Sequence, residues 1–152
     1  MTDIGVQLQQ HRKGSWLYNH PMRFTCQPGC TLCCTQKGWV YLSVEDVPRL
    51  AAYLGIGEDE LQRRYLYSTR NTRRLRMKQG QCPFLTAEGC SVHPAKPTQC
   101  RLFPFWPELI EDKKELKATA QWCPGLGKGD LVPVEVLEAS AKEMRTAYPQ
   151  AY

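Results

Sequence analysis

The chain has 152 residues, a formal net charge of +5, and 42% hydrophobic residues, with eleven glycines and eleven prolines. The length fits one domain with a buried core, and the glycines and prolines point to many turns. No stretch approaches the roughly eighteen consecutive apolar residues of a spanning helix, which excludes one, and there is no internal repeat or low-complexity linker.

Residues 1–22 are polar, with Trp16 and Tyr18 as packing anchors, and read as a short helix or extended lead-in. Met1 to Lys13 holds no apolar export core and no small-residue cleavage site. The expectation is a cytoplasmic chain with no membrane attachment, whose cysteines stay reduced. A cysteine-dense loop, Thr25–Thr35, follows and bends at Pro28-Gly29. Trp39–Leu42 reads as a short strand leaving it. Ser43 then reads as a helix N-cap, with Glu45 and Asp46 in the first turn. Val47, Leu50, Ala51 and Leu54 recur at helical spacing. Gly55 closes that helix and Gly57 opens the next, whose apolar stripe is Leu61, Tyr65 and Leu66. From Arg73 the pattern is extended. Leu109-Ile110 and Leu116–Ala120, separated by Glu111–Glu115, read as a hairpin whose second strand delivers Cys123. Val134–Tyr148 predicts a C-terminal helix with Val136, Leu137, Ala141 and Met144 inward. The expected fold is a small single α+β domain, with helices packed on a short antiparallel sheet and cysteine loops tethered by metal. Within it, 1–22 is the lead-in, 23–127 the cysteine core and 128–152 the C-terminal helix.

The chemistry lies in eight cysteines: Cys26-x3-Cys30-x2-Cys33-Cys34, then Cys82, Cys90, Cys100 and Cys123. Thiolate sulfur is a preferred ligand of zinc and of iron–sulfur clusters. Four thiols in so short a run can converge on a metal with little help from the rest of the chain. All eight are candidate ligands, enough for two four-ligand sites or for one cluster plus spare or structural thiols. Of the later ones, Cys82, Cys90 and Cys100 fall on expected loops, and Cys123 follows the second strand of the expected hairpin. Neighbouring side chains such as Cys33 and Cys34 diverge in extended backbone, which disfavours both on one mononuclear zinc. Cys82 and Cys123 each precede a proline that stiffens the loop.

In order and number these cysteines resemble the YkgJ-type cysteine-cluster family. The resemblance is carried by Cys26-x3-Cys30-x2-Cys33-Cys34, Cys82-Pro83-Phe84-Leu85, Gly89-Cys90, Pro97-x2-Cys100-Arg101-x-Phe103-Pro104 and Cys123-Pro124-Gly125. That family is described as a candidate zinc- or iron-chelating domain. The resemblance implies chelation of zinc or of an iron–sulfur cluster, such as [4Fe–4S], with no reaction attached. A relative of the group, the flagellin lysine N-methylase, carries a similar cluster, so a cluster-dependent enzyme is one alternative. His93 and Lys96 stand where Tyr and Arg are more usual.

Cys26-x3-Cys30-x2-Cys33 also has the spacing of radical S-adenosylmethionine enzymes, but no alternating strand–helix units accompany it. His93, three after Cys90, has mixed-site spacing, against a plain loop histidine. Arg101 beside Cys100 could steady thiolate charge or make an ordinary ion pair. Phe103, Phe105 and Trp106 could shield a cluster or pack a core. Between Arg63 and Lys78 there are seven basic residues, no acid, and Tyr65 and Tyr67 interleaved. That stretch raises a second alternative, a zinc-stabilised protein that binds nucleic acid. No Ser/His/Asp set, phosphate loop or carboxylate pair points to ordinary hydrolase or kinase chemistry.

Overall fold

The computed structural model describes residues 22–36 and 38–152, so the expected lead-in lies outside the described residues apart from Met22. The fold is α+β. Its described residues form two compact units: residues 22–27 with Pro104–Lys142, and Pro28–Phe103 with Glu143–Tyr152.

In the first unit, β1 (Arg23–Phe24) pairs antiparallel with β6 (Leu126–Leu131); β2–β5 belong to the second unit and are given below. The register shifts between Arg23 and Phe24, and the ladder is extended by Val132 N donating to Met22 O at 2.8 Å. The expected hairpin at Leu109–Ala120 is instead two helices, Pro107–Glu111 and Lys113–Ala120. Pro107 suits the first helical position. Asp112, read as the middle of a turn, is an N-cap whose Oδ1 accepts from Lys114 N at 2.8 Å. The segment after it is rich in Lys, Glu, Leu and Ala, all good helix formers. The C-terminal helix spans Val134–Ala147. Leu137 and Ala141 join Met22 and Ile110 in this unit's core, against Phe105, Leu116, Leu126 and Val132. Val136, expected inward, is exposed.

Gly125 sits where β6 approaches the chain beside β1. Thr25 N donates to Gly125 O at 3.1 Å. A Cβ on Gly125 would collide with the Thr25 carbonyl oxygen and lie 3.0 Å from the Phe24 ring. Because the obstacle is backbone, it yields only by moving the chain. Gly125→Ala should therefore cost about 1–3 kcal/mol in denaturant unfolding. Gly57→Ala, whose methyl would meet nothing within 4 Å, is the control and should lose only the N-cap preference for glycine over alanine. Equal stability of the two variants would refute the close-approach account.

In the second unit, α1 (Asp46–Leu54) and α2 (Glu58–Tyr65) form the expected helical pair. Gly55 ends α1 at φ 70°, and its N–H is taken by the Ala51 and Ala52 carbonyls. Gly57 is the N-cap of α2, followed by three acids in its first turn. Ser43 caps from further upstream than a simple N-cap. Its Oγ accepts from Asp46 N at 3.2 Å while its own N–H donates to Asp46 Oδ2 at 2.8 Å, a reciprocal box. From α2 the chain runs into β2 (Leu66–Ser68), which pairs antiparallel with β3 (Arg73–Leu75). The expected Trp39–Leu42 strand is reduced to a single bridge, Tyr41 to Arg74. It lies along β3, with Leu75 N donating to Val40 O and Leu42 N to Arg73 O, both at 2.9 Å. A third ribbon joins β4 (Leu85–Thr86) to β5 (Gly89–Cys90). The described strands thus make three two-stranded antiparallel sheets rather than one.

Leu50, Leu61 and Leu66 are fully buried in this unit's core with Val47, Leu75, Phe84 and Val92, each contributing on the order of 1.5–3 kcal/mol. Cys82 and Cys90 pack against that core. Two cysteine positions differ from the expected loops: Cys90 ends β5, and Cys100 is on a short helix, α3 (Thr98–Leu102).

Candidate metal centre

All eight cysteines are thiols rather than disulfides. Cys26 and Cys123 belong to the first unit, and the other six to the second.

The cysteine loop turns at Pro28-Gly29, where Gly29 has φ 72°. Cys33 and Cys34 then lie on a single 3-10 turn, Leu32–Thr35. Cys34 N donates to Thr31 O at 2.9 Å, and the Thr35 hydroxyl and Gln36 amide both donate to Leu32 O. This turn is not the extended backbone of that expectation: successive side chains are about 120° apart in a 3-10 turn, not on opposite faces as in a strand.

Cys82 and Cys123 share one local geometry. Each begins a tight turn with proline second, closed by the leucine three residues on. Leu85 N donates to Cys82 O at 3.1 Å, and Leu126 N to Cys123 O at 3.3 Å. At Cys82 the turn also aims the Phe84 and Leu85 N–H groups at the sulfur. Such donors favour a thiolate. Cys82 N in turn donates to Cys34 O at 3.2 Å, fastening the proline turn to the 3-10 turn. Cys123 is buried, its N–H donating to Thr119 O at 2.9 Å at the end of Lys113–Ala120. Cys26 is exposed, with its sulfur 3.9 Å from Gln27 O. Cys30 is half-buried.

Electrostatics groups five of the sulfurs. Cys33 is lowered to about 6, first by the Cys34 hydrogen bond, against the pull of burial, with help from backbone N–H groups and the Lys96 charge. Cys34 is pushed far above the ordinary thiol range by that same hydrogen bond, by burial, and by charge on Cys33, Cys82 and Cys90. Cys82 is raised by burial and by Cys90 and Cys33. Cys100 is pushed up to about 12, chiefly by burial and then by Cys82, Cys33 and Cys90, while Lys96 pulls the other way. Cys33, Cys34, Cys82, Cys90 and Cys100 are therefore one electrostatic neighbourhood. Among the described residues no three Cys, His, Asp or Glu side chains converge to metal-bonding geometry.

Several flanking residues find other partners. Arg101 forms an ion pair with Glu143. His93 is exposed on a 3-10 turn, its Nε2 3.3 Å from Lys96 Nζ. Phe105 packs edge-to-face on Phe24 at 5.7 Å and belongs to a core. Lys96 is the residue that sequence reasoning missed as an electrostatic neighbour. It was noticed as an unusual residue at its position, but nothing local says that its charge bears on Cys33 and Cys100.

The buried Asp46 carboxylate ties α1 to α3. It accepts from Thr98 N at 3.1 Å, Thr98 Oγ1 at 2.7 Å and Arg49 Nη2 at 2.6 Å, besides Ser43 N. Tyr148 OH accepts from Gln99 N at 2.9 Å and donates to Tyr41 O at 3.0 Å. The helix that carries Cys100 is thus held at its N-terminus by two residues distant in sequence.

Thiols set on short turns over an apolar core define a cysteine-cluster protein of the metal-chelating kind. The chain belongs to the CxxCxxCC family, described as "Putative zinc- or iron-chelating domain", whose family model matches residues 25–124, well over half its length. Its first interval is one residue longer than that name, since Gln27, Pro28 and Gly29 separate Cys26 from Cys30. No solved structure matches the chain. No helix among the described residues is long and apolar enough to cross a membrane.

Proposed function

We propose that this protein is a thiolate metal-binding module. In this reading Cys33, Cys34, Cys82, Cys90 and Cys100 supply the principal donor set, and Cys26, Cys30 and Cys123 are further candidate ligands. The observation that carries it is the electrostatic neighbourhood of five thiols, one of them receiving two backbone N–H groups at its sulfur. The donors suit the metals named by the family. Sulfur is soft, which selects zinc or iron–sulfur clusters over magnesium or calcium. The proline turns and the 3-10 turn limit how far the sulfurs can move. Backbone N–H groups and Lys96 offset part of the negative charge that several thiolates would gather. A bound iron–sulfur cluster would supply one-electron chemistry, and zinc a rigid crosslink.

Elemental analysis with an absorption spectrum, on protein purified without oxygen, tests this reading. Iron with matching sulfide and visible charge-transfer absorption would assign a cluster; zinc and no colour would assign structural zinc. In both cases stripping the metal with a chelator should lower the melting temperature, because ligand binding to the folded state adds to its stability. Protein with no metal, and with the same melting temperature after zinc or iron-plus-sulfide reconstitution, would overturn it.

A further inference from the structure

We propose that the outward face of the β2–β3 ribbon is a binding surface for single-stranded nucleic acid, separate from the thiols. On this ribbon Leu66 opposite Leu75 faces the core, so the next pair, Tyr67 opposite Arg74, faces out. The Arg74 guanidinium carbon lies over both rings, 4.7 Å from the Tyr67 ring centre and 3.8 Å from the Trp39 ring centre. Two aromatic rings and a guanidinium thus meet at this face. Trp39 and Tyr67 are both half exposed, at 50%. In a monomer a tryptophan and a tyrosine would ordinarily turn such area inward.

Charge surrounds these groups. Arg70, Arg73, Arg76 and Lys78 are exposed, and the chain has no acid from Arg63 to Lys78. Among the described residues no ion pair engages Arg70, Arg73, Arg74, Arg76 or Lys78; Glu60 reaches only Arg63 and Arg64, at 4.0 and 3.7 Å. An acidic peptide or a sulfated sugar would satisfy the cations but leave the rings without a planar partner. Single-stranded nucleic acid satisfies both, with bases on the outer faces of Trp39 and Tyr67 and phosphates on the arginines. A duplex hides its base faces and matches the charge alone.

The test is fluorescence anisotropy with the metal-loaded protein and labelled twelve-nucleotide oligouridine, oligothymidine, a duplex of the same length and heparin, over a salt series. Single strands should bind more tightly than the duplex, and the uridine–thymidine comparison shows whether RNA or DNA is preferred. Trp39→Ala with Tyr67→Ala should weaken single-strand binding about 10-fold or more and leave heparin binding unchanged. Trp39→Phe, which keeps a ring, should restore most of the single Trp39→Ala loss. Arg70→Gln and Arg73→Gln should each reduce the salt slope by about 0.7. Lys113→Gln, on another element, should change nothing. The proposal is overturned if no strand binds at about 0.1 mM protein in low salt, the weak end of non-specific affinity. It also falls if the duplex or heparin binds as tightly as the single strands, or if the ring variants bind like wild type. Unchanged circular dichroism in the variants separates lost stacking from lost fold.

Discussion

Cys82→Ser should lose bound metal and most of the stability that metal confers. Cys82 is the sulfur that the other members of the group share. It acts on Cys34 and Cys100, and Cys90 and Cys33 act on it. Serine keeps the size and the proline turn but replaces a soft donor by a hydroxyl that binds these metals poorly. Structural zinc contributes on the order of 10–16 kcal/mol in small domains, against a whole-domain stability of about 5–15 kcal/mol. Losing one thiolate should then remove several kcal/mol, enough to unfold a marginal chain. The decisive comparison is a cycle: wild type and Cys82→Ser, each with metal and after chelation, followed by thermal melting and elemental analysis. A ligand predicts a large difference between the metal-loaded forms and a small one between the stripped forms. An equal difference in both, with metal content unchanged, would make Cys82 a core thiol and nothing more.

What could be read from the sequence was mostly what neighbouring residues decide. The α1–α2 pair was legible because Ser43, Gly55 and Gly57 act on adjacent backbone and the apolar period is regular. The turn at Pro28-Gly29 was legible for the same reason, whereas the tight turns that begin at Cys82 and Cys123 were read only as loops stiffened by proline. Leu109–Ala120 was misread because Glu111–Glu115 looks like a polar turn, when Asp112 is a cap between two short helices. Val136 was misplaced by one position on a helix whose inward face is otherwise as expected. The family was recognisable because cysteine order is a one-dimensional pattern. How the sulfurs stand to one another was not, since it depends on a 3-10 turn at Cys33-Cys34 and on pairings between distant segments. Asp46 shows the same limit. It was read as a helix-dipole residue, yet it is fully buried and receives the hydroxyl and N–H of Thr98.

Asp46→Asn should be among the most destabilising isosteric changes in this chain, and it should loosen the metal as well. Both carboxylate oxygens are acceptors in use: Oδ2 for Ser43 N and Thr98 N, Oδ1 for Arg49, Thr98 N and Thr98 Oγ1. An asparagine must present its NH2 group to one of these sets whichever way it turns, setting donor against donor in a place that water does not reach. It also leaves Arg49 without its anion. Removing one partner from such a network costs on the order of 3 kcal/mol or more. In urea the midpoint should fall with the slope unchanged. Arg49→Met is the informative companion, because Arg49 is partly exposed and Asp46 would keep its Ser43 and Thr98 donors; its loss should be smaller. Since Thr98 opens the helix that carries Cys100, the Asn variant should also release metal to a chelator faster than wild type. An Asn variant as stable as wild type would mean that the carboxylate is dispensable to the fold. One that is destabilised but holds metal as firmly as wild type would separate the Asp46 clamp from the thiol cluster.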